Sequence, residues 1–431
     1  MRITMFKVLQ RHGWIKNSFA SHYLGFQYMK NYIEQHEPGK HEFFVAKWME
    51  ECQTSKPDMV MISSVTEAWM DACITVQWLR NRAHFTGPII IGGPHLTGLP
   101  ESLPYQVDCG VVGEGEIPAL ELVRAYEKER NPDLSQIPGA IYWEDGELKK
   151  NPRPEPIDVN ALPIDTERMP KERFDIATIR GCPFCCQHCV EWRNQGKPRA
   201  VSAERLAEIM SRRYRSTGNP QFFFQDDTFL AAPGRLEKLH AILAKMDLLN
   251  TFKINPISLN ANLVEDHTIQ LLKEIGAIRL GMGCESLNPR MLKAIKSNVV
   301  SPEDIERTIR LATKANLPIG GSQVYGFPGE TYDELVDSIK RVRAYERSSN
   351  FRHWEVYVCQ PFPGSTLWQK ALKSGLVSKD MDFSRMRIDG DYVWFRSDWL
   401  YLNEETLPKK QFCETIKGFK MKSRGHYLEV R

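Results

Sequence analysis

The chain has 431 residues, a hydrophobic content of 42% and a formal net charge of +3. This length exceeds what one hydrophobic core normally serves, so two domains and an appendage are expected. The small charge argues against a nucleic-acid partner, and no apolar run approaches membrane-spanning length. Sparse cysteines and a first segment without the apolar stretch of a signal peptide favour a cytoplasmic protein.

Residues 1–140 alternate strand-like apolar runs with longer helical patterns, which is typical of a parallel α/β layer. The predicted strands are residues 3–9, 59–64, 89–93 and 109–113, and the predicted helices are residues 68–82 and 117–128. We expect these elements to form the first domain.

Residues 141–172 form a predicted linker, because they are rich in proline. Pro152, Pro154, Pro156, Pro163 and Pro170 exclude a continuous helix or a central strand. Around the start of this linker, residues 140–149 are predicted to form a small hairpin that turns at an Asp-Gly pair.

A second series of strands and helices follows over residues 173–375. The predicted strands are residues 176–180, 221–225, 253–259, 278–284, 318–325 and 354–360, and helical patterns at 203–215, 235–249, 264–275, 302–315 and 332–347 separate them. Six such units predict a partial barrel, a fold that places its chemistry at the carboxyl ends of the strands. Residues 376–431 form a C-terminal extension in which no period is evident.

A cysteine-rich loop directly follows the first strand of the predicted barrel. Cys182, Cys186 and Cys189 have the spacing Cys-x3-Cys-x2-Cys, and Cys185 lies between the first two. Iron–sulfur clusters usually take four cysteine ligands, so three cysteines would leave one iron open. A four-cysteine zinc site is the alternative, but such sites usually separate their two pairs by a long loop, whereas here the pairs adjoin.

This spacing resembles that of the radical S-adenosylmethionine (SAM) enzymes. The resemblance implies a 4Fe-4S cluster on Cys182, Cys186 and Cys189, with SAM bound to the open iron. In that family an electron from the cluster splits SAM and releases a 5′-deoxyadenosyl radical. An external one-electron donor, such as a flavodoxin, a ferredoxin or a dedicated reductase, is implied as a partner.

Asp226 and Asp227 end the second predicted strand and resemble the family segment that grips the ammonium group of SAM. Two carboxylates at a buried strand end are costly without a cationic partner, which supports that interpretation. The alternative is that they cap the next helix.

Three later segments resemble further parts of the family's SAM site. Glu285 and Ser286 correspond to a Gly-x-Glu-Ser segment near the ribose and methionyl group, and Val324 and Gly326 are expected beside the adenine. With a Pro-x-Pro-Gly turn at residues 361–364, the resemblance covers residues 176–370. One departure is His188, which stands before the third cysteine where the family usually has a large aromatic that packs on adenine. An imidazole can still stack there, so His188 is kept among the expected cofactor-binding residues.

The first domain resembles the cobalamin-binding Rossmann domain that precedes many radical SAM enzymes. Gly92-Gly93 after a strand and the Gly-Glu-Gly-Glu turn at residues 113–116 carry this resemblance. The loop that supplies a histidine to cobalt in other cobalamin proteins maps onto residues 16–21, which contain no Asp, His or Gly. Two interpretations remain open: cobalamin bound without a protein histidine, or a scaffold without a corrinoid. The Gly-Gly pair also has a simpler explanation, since a tight turn after a strand needs a positive φ.

The C-terminal extension offers the only indication of a substrate. Its candidate substrate residues are Asp389, Asp391, Trp394, Trp399 and Tyr401. Aromatic faces beside carboxylates suit a sugar or a cationic amine, although an ordinary packing segment is the alternative.

The primary hypothesis is an enzyme that abstracts hydrogen from a small metabolite, such as an amino sugar in antibiotic biosynthesis, leading to dehydration, deoxygenation or rearrangement. It draws on the resemblance to the radical SAM dehydratases of aminoglycoside biosynthesis. A cobalamin-dependent radical SAM C-methyltransferase is the first alternative. An enzyme that modifies RNA or a peptide is the second.

Overall fold

The computed structural model describes residues 1–8, 24–164, 174–386 and 403–424, with side chains described for all of these except 353–355 and 420–424. The chain divides into two compact units that are not contiguous in sequence. The first unit comprises residues 1–169, 190–199 and 362–386, and the second comprises residues 170–189, 200–361 and 387–431.

The first unit contains seven described strands and seven described helices. The strands are β1 (Arg2–Val8), β2 (Glu42–Ala46), β3 (Met59–Ser64), β4 (Ile89–Gly92), β5 (Cys109–Val111), β6 (Ala140–Glu144) and β7 (Glu147–Lys150). The helices are α1 (Leu24–His36), α2 (Glu51–Thr54), α3 (Trp69–Asn81), α4 (Pro94–Gly98), α5 (Glu116–Lys128), α6 (Glu191–Asn194) and α13 (Thr366–Lys373).

The remaining elements follow in chain order. The strands are β8 (Asp175–Ile176), β9 (Ile179–Arg180), β10 (Arg199–Ala200), β11 (Gln221–Phe224), β12 (Lys253–Ile254), β13 (Ile257–Leu259), β14 (Leu280–Glu285), β15 (Ile319–Tyr325) and β16 (Phe351–Val358). The helices are α7 (Ala203–Thr217), α8 (Arg235–Lys245), α9 (Thr268–Glu274), α10 (Pro289–Lys296), α11 (Pro302–Lys314), α12 (Tyr332–Ser348) and α14 (Lys409–Arg424).

One mixed sheet organises the first unit, in the order β2-β1-β3-β4-β5-β6-β7. The first five of these strands are parallel, and the last two are antiparallel. β1 is the second strand from one edge, and the chain passes from it to β2 on one side and then to β3 on the other. The order in which strands are added therefore reverses between β1 and β3, and the crevice at their carboxyl ends is where open α/β sheets bind ligands.

The predicted strands of the first unit are confirmed, and so are its two predicted helices. The hairpin predicted over residues 140–149 is also confirmed, and it joins the sheet through pairing of β6 with β5. Sequence reasoning missed the short helices α2, α4, α6 and α13. It also missed β2, whose Phe44 is exposed at the sheet edge, and α1, which packs Phe26 and Ile33 into the core.

Parallel strands also form the second unit. One group has the order β12-β11-β8 and the other β13-β14-β15-β16. The predicted strand 253–259 is present as two short strands, because Pro256 lies between them and has no N–H to donate to a neighbouring strand. The predicted succession of βα units is thus confirmed.

The expectation that the extension after residue 376 has no regular period is wrong for α14. This helix buries Phe412, Ile416 and Phe419, which lie on one face of the helix, and the guanidinium of Arg343 on α12 lies 4.6 Å from the Phe419 ring centre. None of the helices in the described part of the chain combines the length and apolar character needed to cross a bilayer.

Candidate active site

The cysteine loop leaves the carboxyl end of β9, and its cysteines have different surroundings. Cys186 is buried, Cys182 and Cys189 are partly buried, and Cys185 is exposed. A backbone turn joins Cys186 and Cys189, since the N–H of Cys189 donates to the carbonyl oxygen of Cys186 over 3.1 Å. Burial raises the pKa of the Cys182 and Cys186 thiols. Cys185 is therefore set apart from the other three by its exposure.

The last turn of α10 is tied to this loop by hydrogen bonds. The backbone N–H of Gln187 donates to the carbonyl oxygen of Ile295 over 3.2 Å, and its side-chain amide donates to the carbonyl oxygen of Ala294 over 2.9 Å. The Ser297 hydroxyl lies 3.5 Å from the carbonyl oxygen of Cys185. The end of the helix thus fixes the position of the middle of the loop.

A buried ion pair lies beside the loop. The Lys296 ammonium is 2.8 Å from Oε1 of Glu285, and each side chain is only 8% exposed. The same carboxylate oxygen lies 4.0 Å from Nε2 of His188. Burial alone would raise the pKa of Glu285, but the Lys296 charge reverses this and holds the pKa below its ordinary value. Sequence reasoning missed Lys296, because a lysine in a helical pattern is usually solvated.

Glu285 also has an uncommon backbone conformation. Its φ is +55°, in the left-handed region that residues other than glycine seldom occupy, and the pairing of β14 with β15 shifts register at this point. A Cβ added at Gly283 would lie 2.5 Å from the Glu285 carboxylate and 3.0 Å from the Lys296 nitrogen. The glycine therefore makes room for the ion pair.

The two aspartates after β11 occupy different environments. Asp226 is buried and accepts three hydrogen bonds: from the N–H and the hydroxyl of Thr178, and from the N–H of Ile179 over 3.1 Å. Burial raises its pKa to about 6. Asp227 is exposed, and its negative charge adds to the effect of burial in raising the pKa of the Cys182 thiol. Asp226 therefore braces the first strand of the barrel, whereas the charge of Asp227 acts on Cys182 of the cysteine loop.

Ser286 and Gly326 hold the loops that follow their strands. The Ser286 hydroxyl donates to Ser338 Oγ over 3.3 Å and accepts from the N–H of Asn288. Gly326 has φ +78°, and its N–H donates to the Glu330 carboxylate over 2.6 Å. Burial raises the pKa of Glu330 to about 7. Val324 is nearly buried on β15.

Several buried polar atoms of the second unit have no hydrogen-bond partner among the described residues. They include Thr228 Oγ1, Asn255 Oδ1, Asn260 Oδ1, Gln360 Oε1 and His188 Nδ1, and others lie elsewhere in the unit, such as Gln323 Oε1 and Arg307 Nε. The first four residues follow the carboxyl ends of β11, β12, β13 and β16. Buried polar atoms are nearly always hydrogen-bonded, so this end of the strands is built to receive a polar ligand.

The predicted substrate residues Asp389, Asp391, Trp394, Trp399 and Tyr401 lie outside the described residues, as do residues 16–21.

Comparison with known proteins identifies the class. Residues 176–342 of this chain, which include the three cysteines after the first barrel strand, match the Radical SAM superfamily. An uncharacterised methyltransferase of Pyrococcus horikoshii is 30% identical over 336 residues, which cover 74% of this chain and 71% of that protein. The chain belongs to the radical SAM superfamily, and its cofactors are a 4Fe-4S cluster and SAM.

Other relatives and solved structures extend this comparison. The bacteriochlorophyllide d C-8(2)-methyltransferase of Chlorobaculum tepidum is 25% identical, over 74% of this chain and 70% of that protein. The methyltransferase TsrM from Kitasatospora setae, solved with cobalamin and a [4Fe-4S] cluster, has a TM-score of 0.67 at 16% identity, over 86% of this chain and 75% of that one. The cobalamin-dependent SAM radical enzyme OxsB also has a TM-score of 0.67 at 14% identity, and the match covers 90% of this chain and 64% of that one. These likenesses confirm the predicted fold class.

The residues present fit a cluster better than a zinc ion. In the described part of the chain, only Glu37, His41 and Glu127 bring three ligand atoms within 4.8 Å of one another. The sulfurs of the cysteine loop are therefore more widely spread than one zinc ion would hold them, with Zn–S bonds of about 2.3 Å. The unpartnered polar atoms at the strand ends likewise suit a polar ligand such as SAM.

Proposed function

We propose that this enzyme is a cobalamin-dependent radical SAM methyltransferase that acts on a carbon atom of a small molecule. The main support is the 30% identical relative, which is named as a methyltransferase and aligns with 74% of this chain. The bacteriochlorophyllide methyltransferase adds to this support. The primary hypothesis from the sequence, dehydration or rearrangement of an amino sugar, finds no support among these relatives, and the methyltransferase alternative fits them better.

The first sheet supports the cobalamin part of the proposal. Ser63 on β3 is in register with Gly92 on β4, so both lie at the carboxyl edge of the sheet, next to the point where the strand order reverses. Gly93 follows with φ +105°, and a Cβ there would lie 2.6 Å from the carbonyl oxygen of Ser64. The turn itself thus requires this glycine. The glycine also adds no side chain of its own to the edge that a large planar ligand would approach.

The second unit would hold the other two cofactors. Bound there, the cluster and SAM supply a 5′-deoxyadenosyl radical, while cobalamin in the first unit carries the methyl group. We assign the cluster to Cys182, Cys186 and Cys189, which the hydrogen bonds from Gln187 to α10 hold in place. We assign Asp227 to the SAM ammonium, because its carboxylate is exposed next to Cys182.

A second candidate function is cyclisation without methyl transfer. It is favoured by a relative in Rubrivivax gelatinosus, the anaerobic magnesium-protoporphyrin IX monomethyl ester cyclase, which is 24% identical over 74% of this chain and 60% of that protein. Such an enzyme would consume SAM by radical cleavage alone.

Product analysis separates these functions even without the substrate. Protein reconstituted anaerobically with iron, sulfide and hydroxocobalamin is reduced and supplied with SAM. A methyltransferase should release S-adenosylhomocysteine in an amount that matches the bound cobalamin. Protein prepared without cobalamin is the control and should release none. Formation of 5′-deoxyadenosine alone, without S-adenosylhomocysteine, would contradict the methyltransferase and favour the cyclase type.

A further inference from the structure

The feature that carries a further inference is the buried pair of Glu285 and Lys296. Lys296 is the last residue of α10, and its neighbours on both sides contact the cysteine loop: Ile295 through Gln187, and Ser297 through the carbonyl oxygen of Cys185. Lys296 therefore lies between two residues that anchor the loop. It points inwards, since the side chain is only 8% exposed.

Holding two charges out of water is costly, and a buried ion pair is often no more stabilising than apolar residues of the same size. The pair here is also accompanied by an uncommon φ at Glu285 and a register shift in the strand. Such costs concentrate at functional sites. Stability alone therefore gives little reason for this arrangement.

Both charges lie beside the cysteine loop itself. Oε1 of Glu285 is 4.0 Å from Nε2 of His188, the residue before Cys189, and the same oxygen is 2.8 Å from the Lys296 ammonium. A charge that acts on a ligand in a poorly solvated site also acts on whatever that ligand binds.

We propose that Lys296 is a positioning residue that acts with Glu285 as a charge pair, and that this pair sets how readily the bound cluster accepts an electron. The inference rests on the assignment of the cluster to Cys182, Cys186 and Cys189, but not on methyl transfer. The electron comes from an external one-electron donor and stays on the cluster, which becomes more negative by one charge. The Lys296 ammonium stabilises this reduced form, and the Glu285 carboxylate opposes it.

The test is a potentiometric titration with dithionite, followed by electron paramagnetic resonance, at pH 8 and without SAM. Lys296→Met should lower the midpoint potential, and Glu285→Gln should raise it. We expect each shift to change the reduction equilibrium at least tenfold, which is about 59 mV for a one-electron couple. The double variant should fall between the two single variants. Lys296→Arg, which keeps the charge, should stay close to the unchanged protein.

Lys293→Met is the matched control, because Lys293 lies on the same helix and is exposed. It should leave the potential unchanged. Equal potentials in all cluster-loaded variants, or shifts of the same sign in Lys296→Met and Glu285→Gln, would overturn the inference. If the Lys296→Met protein binds no iron, the Glu285→Gln protein alone tests the inference, and its midpoint potential should rise. Failure of the unchanged protein to bind a cluster would instead reject the cysteine assignment.

Discussion

Cys185 and Cys186 are adjacent in the chain, yet only one of them is buried. This contrast gives the first prediction. Replacing Cys182, Cys186 or Cys189 with alanine should abolish the visible absorbance of the cluster and the formation of 5′-deoxyadenosine, because each thiolate is an assigned ligand. Cys185→Ala should keep both. Loss of the cluster in Cys185→Ala, together with its retention in Cys186→Ala, would show that the ligand set has been misassigned.

Asp226 and Asp227 give a second prediction at the same scale. Asp227→Asn should weaken SAM binding by about 1.5–3 kcal/mol, the usual value of a hydrogen bond to a charged group. Asp226→Ala should instead lower the free energy of unfolding, since each buried donor of Thr178 and Ile179 left unpaired costs about 1–3 kcal/mol. Calorimetry of SAM binding and urea denaturation measure the two effects. Unchanged SAM affinity in Asp227→Asn would remove this carboxylate from the site.

At the scale of elements, α12 begins with a capping box that is readily tested. Thr331 accepts a hydrogen bond from the N–H of Glu334, whose carboxylate in turn accepts from the N–H of Thr331 and from Arg290. These bonds, the one from Arg290 above all, hold the pKa of Glu334 at about 2. Because this pKa is below the ordinary value of 4.5, the carboxylate stabilises the fold above pH 4.5 and loses this effect as the pH falls towards 2.

Glu334→Gln should therefore lower the free energy of unfolding at neutral pH by about 1 kcal/mol, the usual scale of a helix cap. Its stability should also fall less steeply between pH 4.5 and 2. Asp333→Asn is the control, because Asp333 is exposed in the same turn of the helix. Identical acid-unfolding curves for Glu334→Gln and the unchanged protein would show that this cap contributes nothing.

The elements also show where sequence patterns suffice and where they do not. The buried parallel strands of the first unit could be predicted because they read as continuous apolar runs, as β3 and β4 do. α1 was missed because its apolar residues are diluted by Gln, Lys, Asn and Glu. α14 was missed for the same reason: its buried residues Phe412, Ile416 and Phe419 alternate with lysines that reach into solvent.

At the scale of the whole molecule, the family could be predicted because its cysteines and loop motifs are local in sequence. The ion pair could not, since Glu285 and Lys296 belong to different elements and their approach depends on how α10 packs. The different roles of Asp226 and Asp227 could not be predicted for a similar reason. It depends on Thr178, which lies far away in the sequence.

The cluster should also stabilise the folded protein as a whole. A group that binds only the folded chain raises its stability by mass action, about 2.7 kcal/mol at a hundredfold excess over Kd. The thermal midpoint should rise by about 2–4 °C for each kcal/mol gained. Differential scanning fluorimetry under argon, before and after reconstitution with iron and sulfide, measures this rise. Cys186→Ala should show no rise, and an equal rise in that variant would indicate iron bound elsewhere.

The two units are interleaved along the chain, and this has a consequence for their ancestry. The chain passes from the second unit to the first directly after Cys189, returns after residue 199, and enters the first unit again at residue 362. A single recombination event cannot exchange one unit for that of another protein, since each cut would leave part of a unit behind. Exchange of one complete unit would need a crossover at each of the five points where the chain passes between units, after residues 169, 189, 199, 361 and 386.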